Sequence, residues 1–260
     1  MSTVTYELKS HIAIVTLNRP DKMNTFNPDM YREFNAAMAR FRDEKEAWVA
    51  VIAAAGDRAF SAGVDIKALD QAFDSADGDV NTITNTFDIE LQGEYFTDKP
   101  IIAAIQGYCV GEGLSTALAC DLRIAAENAS FMLPEGKIGV PTVNASIHGA
   151  NLMGSAKALE LLLLGESRDA AWALQSGLVN LVVPAHELLD TAMAWAEKIA
   201  SISPVANRIT KEVVVRSRSR SFDEVVAVAG AKRDAMANGH DAQEGRRAFI
   251  EKRKPNFIGE

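Results

Sequence analysis

Four short runs of almost uninterrupted apolar residues limit what this chain can fold into: residues 11–17 (HIAIVTL), 48–54 (WVAVIAA), 101–105 (IIAAI) and 122–126 (LRIAA). A strand that is apolar on both faces has to be covered on both faces, as happens in a parallel sheet wrapped by helices. The intervening segments agree. Asn27 offers a side-chain cap, Pro28 fits the first helical position, and Met30, Phe34, Met38 and Phe41 recur at helical spacing. Strand alternating with helix predicts βα crossovers and an α/β fold. Residues 3–8 are placed to pair with 11–17 as a hairpin. From about residue 185 the pattern turns wholly helical, and Ser221 with Glu224 three positions on makes a capping box. The expected division is a core over residues 1–200 and a helical region over residues 201–260. There is no sequence repeat and no low-complexity tract, and Arg216 to Arg220 (RSRSR) reads as a solvated helix end.

Charge excludes several kinds of partner. Lys and Arg number 27 against 35 Asp and Glu, a net charge of −8, so no chain-wide positive field draws in nucleic acid or an anionic membrane. The two cysteines, Cys109 and Cys120, are not accompanied by His or Cys at metal-ligand spacing, which points to buried thiols and to no metal. No apolar run approaches the ~20 residues of a spanning helix. With no signal-like apolar segment either, the expected location is the cytoplasm.

Three loops follow buried strands, where open α/β sheets place their ligand sites. In the first, Phe60-Ser61-Ala62-Gly63-Val64-Asp65, small residues beside glycine let backbone N–H groups face a cleft. The second, Gly107 to Ser115 (GYCVGEGLS), leads into an apolar helix whose first N–H groups are unpaired and favour negative charge. Donors from two such loops converging on one carbonyl oxygen make an oxyanion hole. The third, Phe131 to Gly139 (FMLPEGKIG), sets Glu135 among apolar residues. Burial raises a carboxyl pKa and suits a base that takes a proton beside a carbonyl; a Glu simply exposed on a loop is the plainer alternative.

Taken together, six segments in fixed order resemble the enoyl-CoA hydratase/isomerase, or crotonase, superfamily. They are Asn18-Arg19-Pro20 with Asn24, AFSAGVDI (59–66), KPIIAAIQGYCVGEG (99–113), ACDLRIA (119–125), the Phe131, Pro134, Glu135, Gly139 pattern, and AFIEKRKPNF (248–257). The resemblance implies a crotonase-like spiral of repeated ββα units, a helical C-terminal region used in trimerisation, and a homotrimer or dimer of trimers. It implies acyl-CoA thioester substrates and no separate cofactor, coenzyme A being part of the substrate. It also implies a thioester enolate held by two backbone N–H groups, here matched to Ala62 and Glu112. Glu112 stands where glycine is usual, and its carboxylate is expected to point away from the oxyanion.

Hydratases of the family use two glutamates. The second matches Glu135; the first falls on Ser115, a neutral residue that can only hydrogen-bond. On that ground the expected activity is a single-glutamate enoyl-CoA isomerase, with an enoyl-CoA hydratase, a thioester hydrolase and a non-catalytic acyl-CoA binder as alternatives. A Ser115–His148 nucleophile pair lacks the G-x-S-x-G elbow, and His148 reads better as an ordinary helix residue. Residues 141–146 replace the usual glycine-rich turn and are expected to reshape the acyl pocket. Coenzyme A contacts are expected from Lys22, Asn24, Ala62, Asp65, Ile66 and Lys254, the last in a basic C-terminal patch that serves the nucleotide end, in this chain or a neighbouring subunit.

Overall fold

Ser10 and His11, at φ of 45° and 69°, turn the chain back between strands β1 (Val4–Lys9) and β2 (Ile12–Leu17). A left-handed residue pair gives a tight turn whose twist matches the strands it joins. The hairpin is antiparallel, Val4 opposite Leu17 and Lys9 opposite Ile12. In this computed structural model residues 2–75, 79–93 and 96–260 are described. Helix α1 (Pro28–Asp43) opens on the Asn27 side chain, which accepts the Met30 N–H at 3.1 Å, and it buries Met30, Tyr31, Phe34, Met38 and Phe41.

Three ββα turns follow. Strand β3 (Val49–Ala54) leads to the short β4 (Ala59–Ser61) and then to helices α2 (Ile66–Ser75) and α3 (Val80–Thr86). Strand β5 (Ile101–Ile105) leads to β6 (Tyr108–Val110) and α4 (Glu112–Ala119), and β7 (Leu122–Ala126) to β8 (Ser130–Met132) and α5 (Asn144–Leu164). After these come β9 (Arg168–Asp169), α6 (Ala170–Ser176), β10 (Leu181–Val183) and α7 (Leu188–Ala200). The long strands form one sheet in the order β1-β2-β3-β5-β7-β10, parallel from β2 onward. The short ones form a second sheet, β4-β6-β8-β9, so each turn of the chain adds one strand to each sheet. The repeat is geometric, with no repeat of residues behind it.

The long sheet is covered on both faces, as its apolar strands require. One face packs against α1 and the interior of the spiral, the other against Leu188, Ala192 and Ala196 of α7. Arg123 of β7 is fully buried and donates to the carbonyls of Leu178, Cys120 and Ala117, closing the C-terminal end of α4. Beyond residue 200 lie α8 (Pro204–Arg216), α9 (Phe222–Met236) and α10 (His240–Glu251). The capping box forms: Ser221 Oγ accepts the Glu224 N–H, and Glu224 accepts the Ser221 N–H at 3.0 Å. Its apolar positions do not share one direction. Val225 and Ala229 line a seam with Ile209 and Val213 of α8, while Val226 is 49% exposed. Among the described residues no helix is long and apolar enough to cross a membrane.

Candidate active site

The three loops singled out by sequence occupy equivalent corners of successive turns, where a short strand gives way to a helix. Residues 62–65 follow β4, Gly111 follows β6, and residues 133–135 follow β8. Because these strands are neighbours in one sheet, the corners stack, and the Gly111 N–H donates to Met132 O at 2.9 Å. Glycine makes the approach possible. A methyl group at Gly63 would lie 3.2 Å from Val110 O and 3.6 Å from Glu112 N, and one at Gly113 would lie 2.6 Å from Ser61 Cβ. The start of α4 therefore rests directly on β4.

The geometry corrects one donor. The Ala62 N–H is already spent on Met23 O at 3.0 Å, so it is not free for a substrate oxygen. Two residues on, the Val64 N–H has no partner among the described residues, and neither has that of Glu112, the first residue of α4. The expectation of Ala62 followed the run of small residues; only the fold shows which amide Met23 occupies. Asn24 is corrected too. At φ of 53° and 1% exposed, it accepts the Arg19 N–H and donates to Ala55 O and Ala59 O. Its buried side chain fixes the 19–25 turn against β4, with both amide hydrogens spent on carbonyls of this chain.

Glu135, half-buried, leans over Gly111, and its Oε2 is buried without a hydrogen-bond partner among the described residues. Burial raises its pKa, opposed by its own backbone N–H and the Thr142 hydroxyl. Ser115 is buried, and its hydroxyl donates to Gly111 O at 3.2 Å, a bond within its own helix. His148 does not meet it: its Nε2 pairs with Gln92 O at 3.1 Å. No Ser–His pair forms.

The Glu112 carboxylate is turned toward Tyr31, whose hydroxyl donates at 3.2 Å, and toward the Gln92 amide, which donates to the other oxygen. Asn144 holds Gln92 in turn at 3.2 Å. Burial pushes the Glu112 pKa up to about 7, the hydrogen bonds from Gln92 and Tyr31 working against it and the charge of Glu135 with it. Sequence reasoning carried no sign of Tyr31 or Gln92 here, since both arrive from other parts of the chain.

The remaining coenzyme A candidates scatter. Asp65 forms an ion pair with Arg19 at 3.3 Å and accepts the Ala68 N–H at the start of α2, so its charge is already matched. Ile66, 55% exposed, and Lys22 sit at the rim of the corner stack. Lys254 does not join them. It lines a cleft with His11 and Trp48 at the N-terminal ends of β2 and β3, one strand length, about 20 Å, from the corners. Arg253 beside it is paired with Glu244 and Glu251.

A spiral of ββα turns whose stacked corners bring free amides and a carboxyl group together defines an acyl-CoA enzyme of the crotonase fold. The chain belongs to the enoyl-CoA hydratase/isomerase family, whose model matches residues 7–260. It is 35% identical to (E)-benzylidenesuccinyl-CoA hydratase of Thauera aromatica, over 98% of this chain and 99% of that one. It is 32% identical to short-chain-enoyl-CoA hydratase of Clostridium acetobutylicum, over 98% and 97%. The crystal structure of enoyl-CoA hydratase from Bacillus anthracis superposes with a TM-score of 0.90 at 30% identity, covering 99% of this chain and 100% of that one.

Proposed function

We propose that the chain hydrates a 2-enoyl-CoA thioester. The observation that carries this is the unpartnered, buried Oε2 of Glu135 beside Gly111, next to the free N–H of Glu112. In this reading the thioester oxygen accepts from the N–H groups of Val64 and Glu112. Glu135 takes a proton from water as the water oxygen bonds to C3. The C2–C3 π electrons move onto the thioester as an enolate, and Glu135 returns a proton to C2. One carboxyl group thus serves as base and then as acid, and its burial keeps both forms accessible. The relatives that are named hydratases favour this over the double-bond shift expected from Ser115.

In this reading Lys22 and Ile66 meet coenzyme A in the same subunit, and Lys254 meets its nucleotide end from a neighbouring chain of a homotrimer or dimer of trimers. The experiment measures hydration of a 2-enoyl-CoA and isomerisation of a 3-enoyl-CoA in the wild type and in Glu135→Gln. Hydration should be the faster reaction and should fall at least ~10²-fold in the variant. Faster isomerisation would return the single-glutamate isomerase to first place.

A further inference from the structure

A narrow cleft of about 40 Å³ lies at the far end of α4 from the corner stack. Leu91, Phe96, Leu118, Leu152 and Val215 give it an apolar wall, and Asp121, His148, Lys211 and Arg218 its polar side. Helix α4 links the two places: Glu112 begins it, Ala119 ends it at the cleft, and seven residues of rise span about 10 Å. Gln92 links them too, its amide on the Glu112 carboxylate and its carbonyl on the His148 ring that faces the cleft.

The charges at this end are unbalanced. Among the described residues Asp121 is the one carboxylate lining the cleft, and it is occupied by the Ile101 N–H at 2.7 Å and by Lys211 Nζ at 2.8 Å. Lys211 also donates to Lys99 O, which leaves one of its three N–H groups unused. Arg218 has no side-chain hydrogen bond or ion pair among the described residues. Behind the wall the buried Arg123 is satisfied by carbonyls alone. Among the described residues two cations, Lys211 and Arg218, therefore face one carboxylate, with Arg123 behind them, in a chain whose net charge is −8. His148 feels the excess: after burial, Arg218 and Arg123 are what hold its pKa below the usual histidine range.

We propose that this cleft is the terminal subsite for the acyl chain and takes a chain that ends in a carboxylate, held by Arg218 and the free N–H of Lys211. The apolar wall suits the methylenes and the cationic rim the terminal charge, which would accept charge-assisted hydrogen bonds from it. The proposal rests on the reading of the corner stack as the thioester site.

The test is calorimetric binding of suberoyl-CoA and octanoyl-CoA, saturated thioesters of equal chain length, to the wild type, Arg218→Gln and Arg218→Lys. The wild type should favour suberoyl-CoA about ten-fold, the size of one charge-assisted hydrogen bond. The ratio should fall toward one in Arg218→Gln and recover in part in Arg218→Lys. Equal affinities in the wild type, or a preference unchanged by Arg218→Gln, would overturn the subsite. Binding does not depend on turnover. A protein that discriminates between the thioesters but hydrates no 2-enoyl-CoA keeps the subsite and loses the hydratase reading, and one that hydrates without discriminating loses the subsite alone.

Discussion

Gly111 and Glu135 touch across the corner stack: a methyl group on Gly111 would sit 3.1 Å from Oε1 of Glu135. Gly111 also holds φ of 55° with ψ of −123°, a conformation that side chains other than hydrogen strain to adopt. Gly111→Ala should therefore lower stability by about 1–3 kcal/mol. Because the displaced group is the carboxyl itself, kcat should fall well beyond what that loss of folded protein explains. Denaturation and turnover measured on one preparation separate the two effects.

Ser115 stands where the first of the family's two glutamates is expected, yet its hydroxyl is spent on Gly111 O. Ser115→Ala removes a bond internal to α4 and should change kcat/KM by no more than a few-fold. A loss approaching ~10²-fold, the scale of an acid–base residue, would place the hydroxyl in the reaction.

The buried Asn24 side chain makes three hydrogen bonds that close the 19–25 turn and tie it to Ala55 and to Ala59 of β4. Asn24→Ala leaves two carbonyls and an N–H without partners and puts alanine at a left-handed φ. A loss of about 3 kcal/mol is expected in denaturant unfolding. Activity should fall as well, since Met23 next door holds the Ala62 N–H.

Glu112 gives stability a pH dependence. Its folded pKa, about 7, lies above its ordinary 4.5. Between those values the folded chain keeps a proton that the unfolded chain releases, so stability declines as pH rises through the window, by about 3 kcal/mol in total, and is level on either side. Glu112→Gln keeps the shape and should flatten the decline. Unfolding free energies of both proteins below and above the window check it.

The hairpin, α1 with its Asn27 cap and the buried strands were legible because their signals are local: a run, a spacing, a cap. The second sheet was not, since β4, β6, β8 and β9 are two or three residues long and too short to show a period. The corner loops were legible as positions and only partly as chemistry. Whether an amide there is free depends on a carbonyl from elsewhere, as Met23 decides for Ala62, and the surroundings of Glu112 come from α1 and from Gln92. The position of Lys254 beside His11 and Trp48 was not legible for the same reason, because a charge pattern does not say at which end of a strand it will lie.

The stacking of three corners has a consequence for biogenesis. Residues 63, 111 and 135 meet only after two long loops of chain have closed, and such non-local contacts form late. Until the third turn docks there is a donor without a base. Turnover then works as an all-or-none readout of maturation: a partly folded chain shows no weak version of the reaction, and newly made protein becomes active only when its last spiral turn is in place.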